Sequence, residues 1–315
     1  MFVWTKMKIQ SGDFGKIFFV FFLFLMTACD SKQRSSDKLQ VVTTTTIIYD
    51  LVKNIGGDKI EVQSLMGPGV DPHLYKASEG DLLKLYYSDL LFYSGLHLEG
   101  KMVDVFEKMN LRGWKTYSLG EHLDEKDLIS SENFGGNFDP HVWFNIGFFK
   151  KFAEVVTEIL SENDPQNADY FKRNNVLYQS QLTELEDEVN GLIESLPKEK
   201  RILVTAHDAF SYFGKTYGFR VVGLQGISTA TEAGVRDVRN MRDFIIQHKI
   251  KSIFIESSVP RRTIEALQAA VRAKNKEVEI GASLYSDALG DLDGPEGSYI
   301  GMFKYNIENI VESLR

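Results

Sequence analysis

The chain has 315 residues, of which 43% are hydrophobic and 25% are charged. These proportions are typical of globular proteins and exclude a disordered chain, a collagen and a protein with many membrane spans. The formal net charge of −8 argues against a nucleic-acid binder, which normally presents a basic surface. The single cysteine excludes a disulfide framework and a thiolate metal cluster, so metal binding would have to use His, Asp and Glu.

The N-terminal segment predicts a secretory signal peptide over residues 1–28. An apolar run, Ile17–Met26, follows several lysines and is only about half of the ~20 residues that a membrane-spanning helix needs. Cys29 comes directly after small residues and looks like the cysteine of a bacterial lipobox; a stray cysteine is the alternative. We therefore expect lipidation of Cys29 and a flexible, lipidated leash over 29–38. The mature chain would then be anchored to the cell membrane by lipid, on its extracytoplasmic side.

Strands and helices alternate after this leash. The hydrophobic pattern predicts strands at 39–44, 60–65 and 89–93, and helices at 47–55 and 78–87. Such alternation is typical of a parallel sheet covered by helices. We place an N-terminal α/β lobe at 39–163.

A long helix is predicted in the middle of the chain. After Pro165 no Gly or Pro occurs until Gly191, and the helical pattern continues to Leu196. A helix over 164–197 would be on the order of 45–50 Å long, which exceeds the width of one small domain. We interpret it as a spine that joins two lobes.

The alternation of strands and helices repeats in a C-terminal α/β lobe over 198–315. Strands are predicted at 201–205, 220–224, 252–256 and 278–280, and helices at 210–217, 235–247, 261–274 and 299–314. Two α/β lobes joined by a rod predict a cleft between them. Ligands of such sheets bind beyond the carboxyl ends of the strands.

Three of the six histidines lie in loops that would face this cleft. His73 and His141 each end an Asp-Pro-His tripeptide, and His207 directly follows a predicted strand. The proline fixes one backbone dihedral angle before the histidine, which suits a preorganised metal ligand. A buried structural histidine is the alternative at each single position. The remaining histidines, which lack this setting, are His97, His122 and His248.

Three imidazoles leave a divalent cation short of a fourth ligand and of charge compensation. Asp287 is the strongest candidate because it lies in a loop just past the last predicted strand. This loop continues into a glycine-rich stretch, so we expect the second lobe to move when metal is released. The other acidic candidates are Glu232, Glu256, Asp291 and Asp293.

Five segments carry a resemblance to a known family, at 66–75, 91–99, 139–143, 205–210 and 285–290. In this order, and over essentially all of the chain after the leash, they resemble the TroA-like (cluster A-I) metal-binding receptors of bacterial ABC importers. The resemblance implies an α/β fold of two lobes, each with a mostly parallel four-stranded sheet flanked by helices. One long rigid spine helix would join the lobes, with one metal in the cleft between them.

The resemblance also implies which residues bind the metal: His73 and His141 from the first lobe, and His207 and Asp287 from the second. It implies a substrate-binding protein, not an enzyme, that delivers zinc or manganese to an ABC permease backed by a cytoplasmic ATPase subunit. We expect a monomer that contacts the membrane through its N-terminal lipid and has no nucleic-acid partner.

The identity of the metal stays open between zinc and manganese. Manganese-selective relatives tend to carry Glu where this chain has His207, whereas zinc importers often have a histidine-rich loop that this chain lacks. Three imidazoles and one carboxylate suit zinc, but a bidentate Asp287 would make manganese or ferrous iron acceptable. We expect zinc ahead of manganese, with iron third.

Two other functions compete with a transport receptor. One is a metal-dependent surface adhesin, for which the sequence shows no repeats and no basic patch. The other is a zinc hydrolase, in which Glu232 or Glu256 would act as general base beside a metal-bound water.

Overall fold

The structure is a computed structural model, and it describes residues 37–315. The predicted signal peptide, the predicted lipidation site Cys29 and most of the predicted leash lie outside the described residues. Within 37–315, no helix combines the length and the apolar character that crossing a membrane requires.

The first lobe is built on one parallel sheet of four strands in the order β2-β1-β3-β4. The strands are β1 (Leu39–Thr43), β2 (Ile60–Ser64), β3 (Leu90–Tyr93) and β4 (Thr116–Ser118), and the helices between them are α1 (Thr46–Gly56), α2 (Glu79–Tyr87) and α3 (Val103–Leu111). Thr45 caps α1 by accepting a hydrogen bond from the backbone of Ile48, and Ser78 caps α2. The predicted parallel α/β architecture is confirmed for this lobe.

A helical hairpin leads from the first lobe to the second. It consists of α4 (Ile146–Asn163) and the 27-residue helix α5 (Ala168–Glu194), which is about 40 Å long. This regular helix is shorter than the predicted range 164–197, because Pro165–Asn167 forms a 3-10 turn before it. After Glu194 the chain ends the helix with hydrogen bonds of the tighter 3-10 type. One of them runs from the amide of Leu196 to the carbonyl of Ile193.

The second lobe has its strands in two parallel ladders. The strands are β5 (Ile202–Thr205), β6 (Arg220–Gly223), β7 (Ser252–Glu256) and β8 (Glu279–Leu284); the helices are α6 (Ser211–Tyr217), α7 (Val235–His248), α8 (Arg262–Arg272) and α9 (Tyr299–Leu314). β5 pairs with β6, β7 pairs with β8, and β5 lies next to β7. The expected four-stranded sheet of this lobe is therefore two ladders side by side. Hydrophobic pattern predicts strands and their burial, but it does not fix the backbone separation that decides whether neighbouring strands share hydrogen bonds.

One continuous apolar core runs through both lobes. Phe144, just before α4, stacks near Phe210 of the second lobe with ring centroids 4.4 Å apart. Phe149 on α4 stacks on Tyr299 at the start of α9 at 3.7 Å. The long helix α5 also packs against α1 and α4 of the first lobe and against α9 of the second. The lobes are thus held together by buried apolar surface as well as by the helix that connects them.

Asp50 on α1 connects three helices where the lobes meet. Its carboxylate accepts hydrogen bonds from the backbone amide of Tyr299 at the start of α9, at 3.0 Å, and from the hydroxyl of Tyr178 on α5, at 3.4 Å. Burial raises the pKa of Asp50 to about 6, although these hydrogen bonds oppose the rise. The folded-state pKa of Asp50 lies above its ordinary value of 3.8. The contribution of Asp50 to the free energy of unfolding therefore falls as the pH rises from about 4 to about 6.

We expect Asp50→Asn to be more stable than the wild type at pH 8, by up to about 3 kcal/mol, and no more stable at pH 4. The amide keeps an acceptor for the amide of Tyr299 but removes the buried charge. Urea unfolding at both pH values measures the difference. Asp187→Asn, at an exposed position of α5, is the control and should show no such pH dependence; an equal effect of both substitutions would contradict the assignment to Asp50.

Candidate metal centre

Four side chains predicted as metal ligands meet between the lobes. His73 follows β2 and His141 precedes α4 in the first lobe, whereas His207 follows β5 and Asp287 follows β8 in the second. The four residues are at most 3% exposed. Each offers one ligand atom, and these four atoms all lie within 4.8 Å of one another.

Three distances within this cluster are close to the edges of a small coordination polyhedron. Nε2 of His73 and Nε2 of His141 are 3.3 Å apart. The Asp287 carboxylate lies 3.3 Å from Nε2 of His141 through Oδ1 and 3.4 Å from Nε2 of His207 through Oδ2. A tetrahedral zinc site with metal–ligand bonds of about 2.0–2.1 Å has edges of about 3.3–3.4 Å. The arrangement could therefore hold one divalent metal ion.

Hydrogen bonding among the four side chains does not account for their proximity. Nε2 of His207 and Oδ1 of Asp287 are buried and make no hydrogen bond of good geometry with any described residue. A buried polar atom without a partner is costly. Both atoms point into the space that a metal ion would fill, so a cation there would satisfy them.

Carboxylates behind two of the histidines orient their rings. Asp139 Oδ1 lies 2.7 Å from Nδ1 of His141, and Glu256 Oε2 lies 2.6 Å from Nδ1 of His207. The same carboxylates also accept from the backbone amides of these histidines, at 2.9 Å and 2.8 Å. A carboxylate at Nδ1 leaves Nε2 for the metal and makes the imidazole a better ligand.

A close backbone approach places His207. At Gly223, the end of β6, a Cβ atom would lie 2.7 Å from the carbonyl carbon of His207 and 2.5 Å from the amide of Asp208. Only glycine leaves room for this contact. The strand end thereby supports the loop that carries the predicted ligand His207.

The histidine pKa values differ across the cluster because the charges around each ring differ. Burial, helped by the two neighbouring imidazoles, lowers the pKa of His73 to about 3. Burial also opposes the charge on His141, but Asp139 and Asp287 outweigh it and raise the pKa to about 9. Without metal, His73 is thus neutral and His141 protonated at neutral pH.

His207 and Asp287 form a buried charged pair within the cluster. Burial alone would disfavour both charges, yet Glu256 and Asp287 hold the pKa of His207 well above its usual range. The imidazoles of His207 and His141 in turn hold the pKa of Asp287 well below its ordinary value. The metal-free site therefore carries protonated imidazoles where a metal ion would otherwise supply positive charge.

The other candidates from the sequence do not join this cluster. Glu232 is exposed and pairs with Arg262 at 2.8 Å. Glu256 lies behind His207 instead of at the metal position. The other two acidic candidates, Asp291 and Asp293, are exposed, and so are the three histidines outside the predicted site, His97, His122 and His248.

Two supporting residues were not identified from the sequence. Asp139 lies two residues before His141, and this spacing is the signal that could have identified it. Ser258 donates to Asp287 Oδ2 at 3.1 Å. No pattern in the sequence links Ser258 to a residue 29 positions away.

The family of the chain follows from comparison with known proteins. The family model described as ZnuA, zinc-uptake complex component A, periplasmic, matches residues 41–313. The chain belongs to this family. The predicted resemblance to TroA-like receptors and the α/β class with parallel sheets are confirmed.

The relatives of this chain are named for different metals. The manganese-binding lipoprotein MntA of Bacillus subtilis is 44% identical over 299 residues, which cover 94% of this chain and 97% of MntA. The zinc-binding protein TroA of Treponema pallidum is 46% identical over 289 residues, 91% of this chain and 92% of TroA. The solved structure of that periplasmic zinc-binding protein TroA matches with a TM-score of 0.85 over 88% of this chain and 99% of its own.

We expect metal binding at pH 7.5 to release about two protons, from His141 and His207, because a metal ion binds only the neutral imidazole. Since the pKa of His141 is raised to about 9, apparent affinity should still rise with pH well above the usual histidine range near 6.5. Calorimetry in buffers of different ionisation enthalpy measures the protons released. Release of no protons at pH 7.5 would contradict the charge distribution described above.

We expect Glu256→Gln to weaken metal binding about 10–100-fold, the usual loss when the partner of a ligating histidine is removed. The amide can still accept from the backbone of His207, but it has no negative charge at Nδ1 to orient the neutral ring and strengthen Nε2 as a metal ligand. Competition titration with a zinc chelator measures the loss. The control is Glu265→Gln, because Glu265 is an exposed glutamate on α8 that pairs with Arg261. This variant should bind metal as the wild type does. Equal affinities of Glu256→Gln and Glu265→Gln would refute the role of Glu256.

Proposed function

We propose that the chain is the substrate-binding protein of an ABC importer, which captures a divalent transition metal outside the cytoplasm and delivers it to the membrane permease. The metal ligands in this proposal are His73, His141, His207 and Asp287. The observation that carries it is the convergence of four buried ligand atoms, two from each lobe, within 4.8 Å of one another. Proteins of this class work with permease and ATPase subunits, which are the partners we propose.

A receptor fits the geometry better than a hydrolase. A hydrolytic zinc site keeps one coordination position open for water and places a general base beside it. Here Asp287 occupies the fourth position, and the ligands are almost fully buried. Glu256 is engaged with His207, and Glu232 lies at the surface. We therefore propose that the chain has no enzymatic activity.

Zinc is the metal we propose first, with manganese second. Ser258 holds Oδ2 of Asp287, whereas Oδ1 has no hydrogen-bond partner. This difference favours one carboxylate oxygen as ligand and a four-coordinate site, which suits zinc. Manganese prefers more oxygen ligands and would need both oxygens of Asp287.

The remaining parts of the proposal concern where the receptor works. We propose lipidation at Cys29, a tether over 29–38, and a monomer held at the outer side of the cell membrane. The names of relatives such as the manganese-binding lipoprotein MntA support a lipid anchor. We propose lobe boundaries at 39–163 and 198–315, with 164–197 as the connecting spine.

Metal uptake by a strain that lacks the gene tests the function. Wild-type chain should restore accumulation of zinc or manganese from limiting medium, whereas His141→Ala should not. The purified wild type should also gain about 4 kcal/mol of stability when free metal is a thousandfold above its Kd, and His141→Ala should lose most of this gain.

His122→Ala is the matched control, because His122 is an exposed histidine outside the cluster. It should restore uptake and keep the metal-dependent rise in Tm. Uptake restored equally by His141→Ala and His122→Ala would refute the proposed site, and unchanged uptake in the deletion strain would refute the transport role.

A further inference from the structure

The two Asp-Pro-His tripeptides are alike in their backbone and differ in one side-chain contact. In each, the aspartate accepts a hydrogen bond from the backbone amide of the histidine two residues later, at 2.9 Å for both Asp71 and Asp139. Asp139 also reaches the ring of its histidine. Asp71 instead uses its second oxygen to accept a 2.6 Å hydrogen bond from the hydroxyl of Thr229.

The hydrogen bond from Thr229 to Asp71 crosses between the lobes. Asp71 belongs to the loop after β2 in the first lobe, and Thr229 to the loop between β6 and α7 in the second. Thr229 is only 7% exposed, although Ala230 and Thr231 beside it are exposed. The threonine therefore turns inward from a surface loop to contact the loop of the other lobe.

A second contact seats the same first-lobe loop against the second lobe. Gly69 has a φ of +70°, and a Cβ atom there would lie 3.5 Å from the backbone oxygen of Ser257. The loop that carries His73 therefore rests on two loops of the second lobe. Separation of the lobes at this point would have to break the hydrogen bond between Thr229 and Asp71.

His73 depends on its loop more than the other histidine ligands do. Carboxylates hold Nδ1 of His141 and of His207. Among residues 37–315, no carboxylate pairs with the ring of His73. Apart from its contacts with the rings of His141 and His207, this imidazole depends on its backbone, whose amide Asp71 holds.

The loop of Asp287 is fixed differently, by the first lobe. The indole of Trp143 donates to the carbonyl of Ser286 at 3.0 Å, and the amide of Leu289 donates to the hydroxyl of Thr46 at 2.8 Å. These contacts on both sides of Asp287 tie its loop to the first lobe, whereas we expected the second lobe, which carries Asp287, to move on metal release. The His73 loop is the better candidate for opening.

We propose that Thr229 is a positioning residue that latches the His73 loop across the lobe interface and thereby slows release of the bound metal. The inference rests on the proposed function, since it concerns metal held by the same four ligands. Thr229 is uncharged, so its removal changes the latch without changing the charge of the site.

Dissociation kinetics of Zn²⁺ test the latch. Thr229→Val keeps the shape of the side chain but removes the hydroxyl, and it should raise the rate of zinc dissociation to an excess of chelator by about tenfold or more, as expected for loss of a hydrogen bond to a charged acceptor. The association rate should change little. Thr229→Ser, which keeps the hydroxyl, should restore slow release, and Thr231→Val in the same loop should behave as the wild type.

Two further measurements separate a latch from general damage. The absorption spectrum of bound Co²⁺ should be the same in Thr229→Val and wild type, because the ligand set is intact. Hydrogen exchange of the metal-free protein should be faster over 67–73 in Thr229→Val but not in Thr231→Val. Thr229→Ala serves as a second variant if the valine disturbs folding.

The outcomes distinguish the latch from the function on which it rests. Unchanged zinc release in Thr229→Val, equal acceleration in Thr231→Val, or an altered Co²⁺ spectrum would overturn the latch while wild-type binding stays intact. A wild type that binds neither Zn²⁺ nor Co²⁺ would overturn the proposed function and the latch together.

Discussion

Asp287 is a carboxylate without solvent contact, placed between two imidazoles that are equally buried. Removing such a charge from water costs several kcal/mol unless opposite charge lies beside it. Without metal, protonated His141 and His207 supply that charge, at 3.3 Å and 3.4 Å from the carboxylate oxygens. A divalent metal ion would replace these protons. Because positive charge faces Asp287 in both states, the same arrangement can persist with and without metal.

The apolar core limits how this site can open. It continues from one lobe into the other, and the aromatic pair of Phe149 and Tyr299 crosses between them. Opening the lobes as rigid bodies would expose much of this apolar surface to water, which costs about 25 cal/mol of free energy for each Å². Local movement of a loop that carries one ligand exposes far less. The His73 loop, held by Asp71 and Thr229, meets this condition.

Much of the fold, and the four side chains that cluster between the lobes, could be predicted from the sequence. Alternating strands and helices indicated parallel α/β lobes, and the Asp-Pro-His tripeptides pointed to His73 and His141 because proline and aspartate fix the local backbone. These signals are local, so they survive without knowledge of the fold. The position of Asp287 after the last strand followed from where strand ends meet in such sheets.

Features that depend on distant pairs could not be predicted. Glu256 was a candidate ligand or base, but only the approach of β7 to the loop after β5 shows that it holds the His207 ring. The contact between Thr229 and Asp71 joins residues of different lobes. The split of the second sheet and the raised pKa of Asp50 likewise depend on packing. In each case the sequence contains both residues, but only the fold shows that they are in contact.

The most direct measurement is anomalous X-ray scattering from crystals of the protein grown with zinc. We expect one strong peak at the zinc edge, surrounded by Nε2 of His73, His141 and His207 and by the Asp287 carboxylate, at about 2.0–2.1 Å. A peak bound by other residues, or no peak between the lobes at saturating zinc, would contradict the assignment of these four side chains as the metal site.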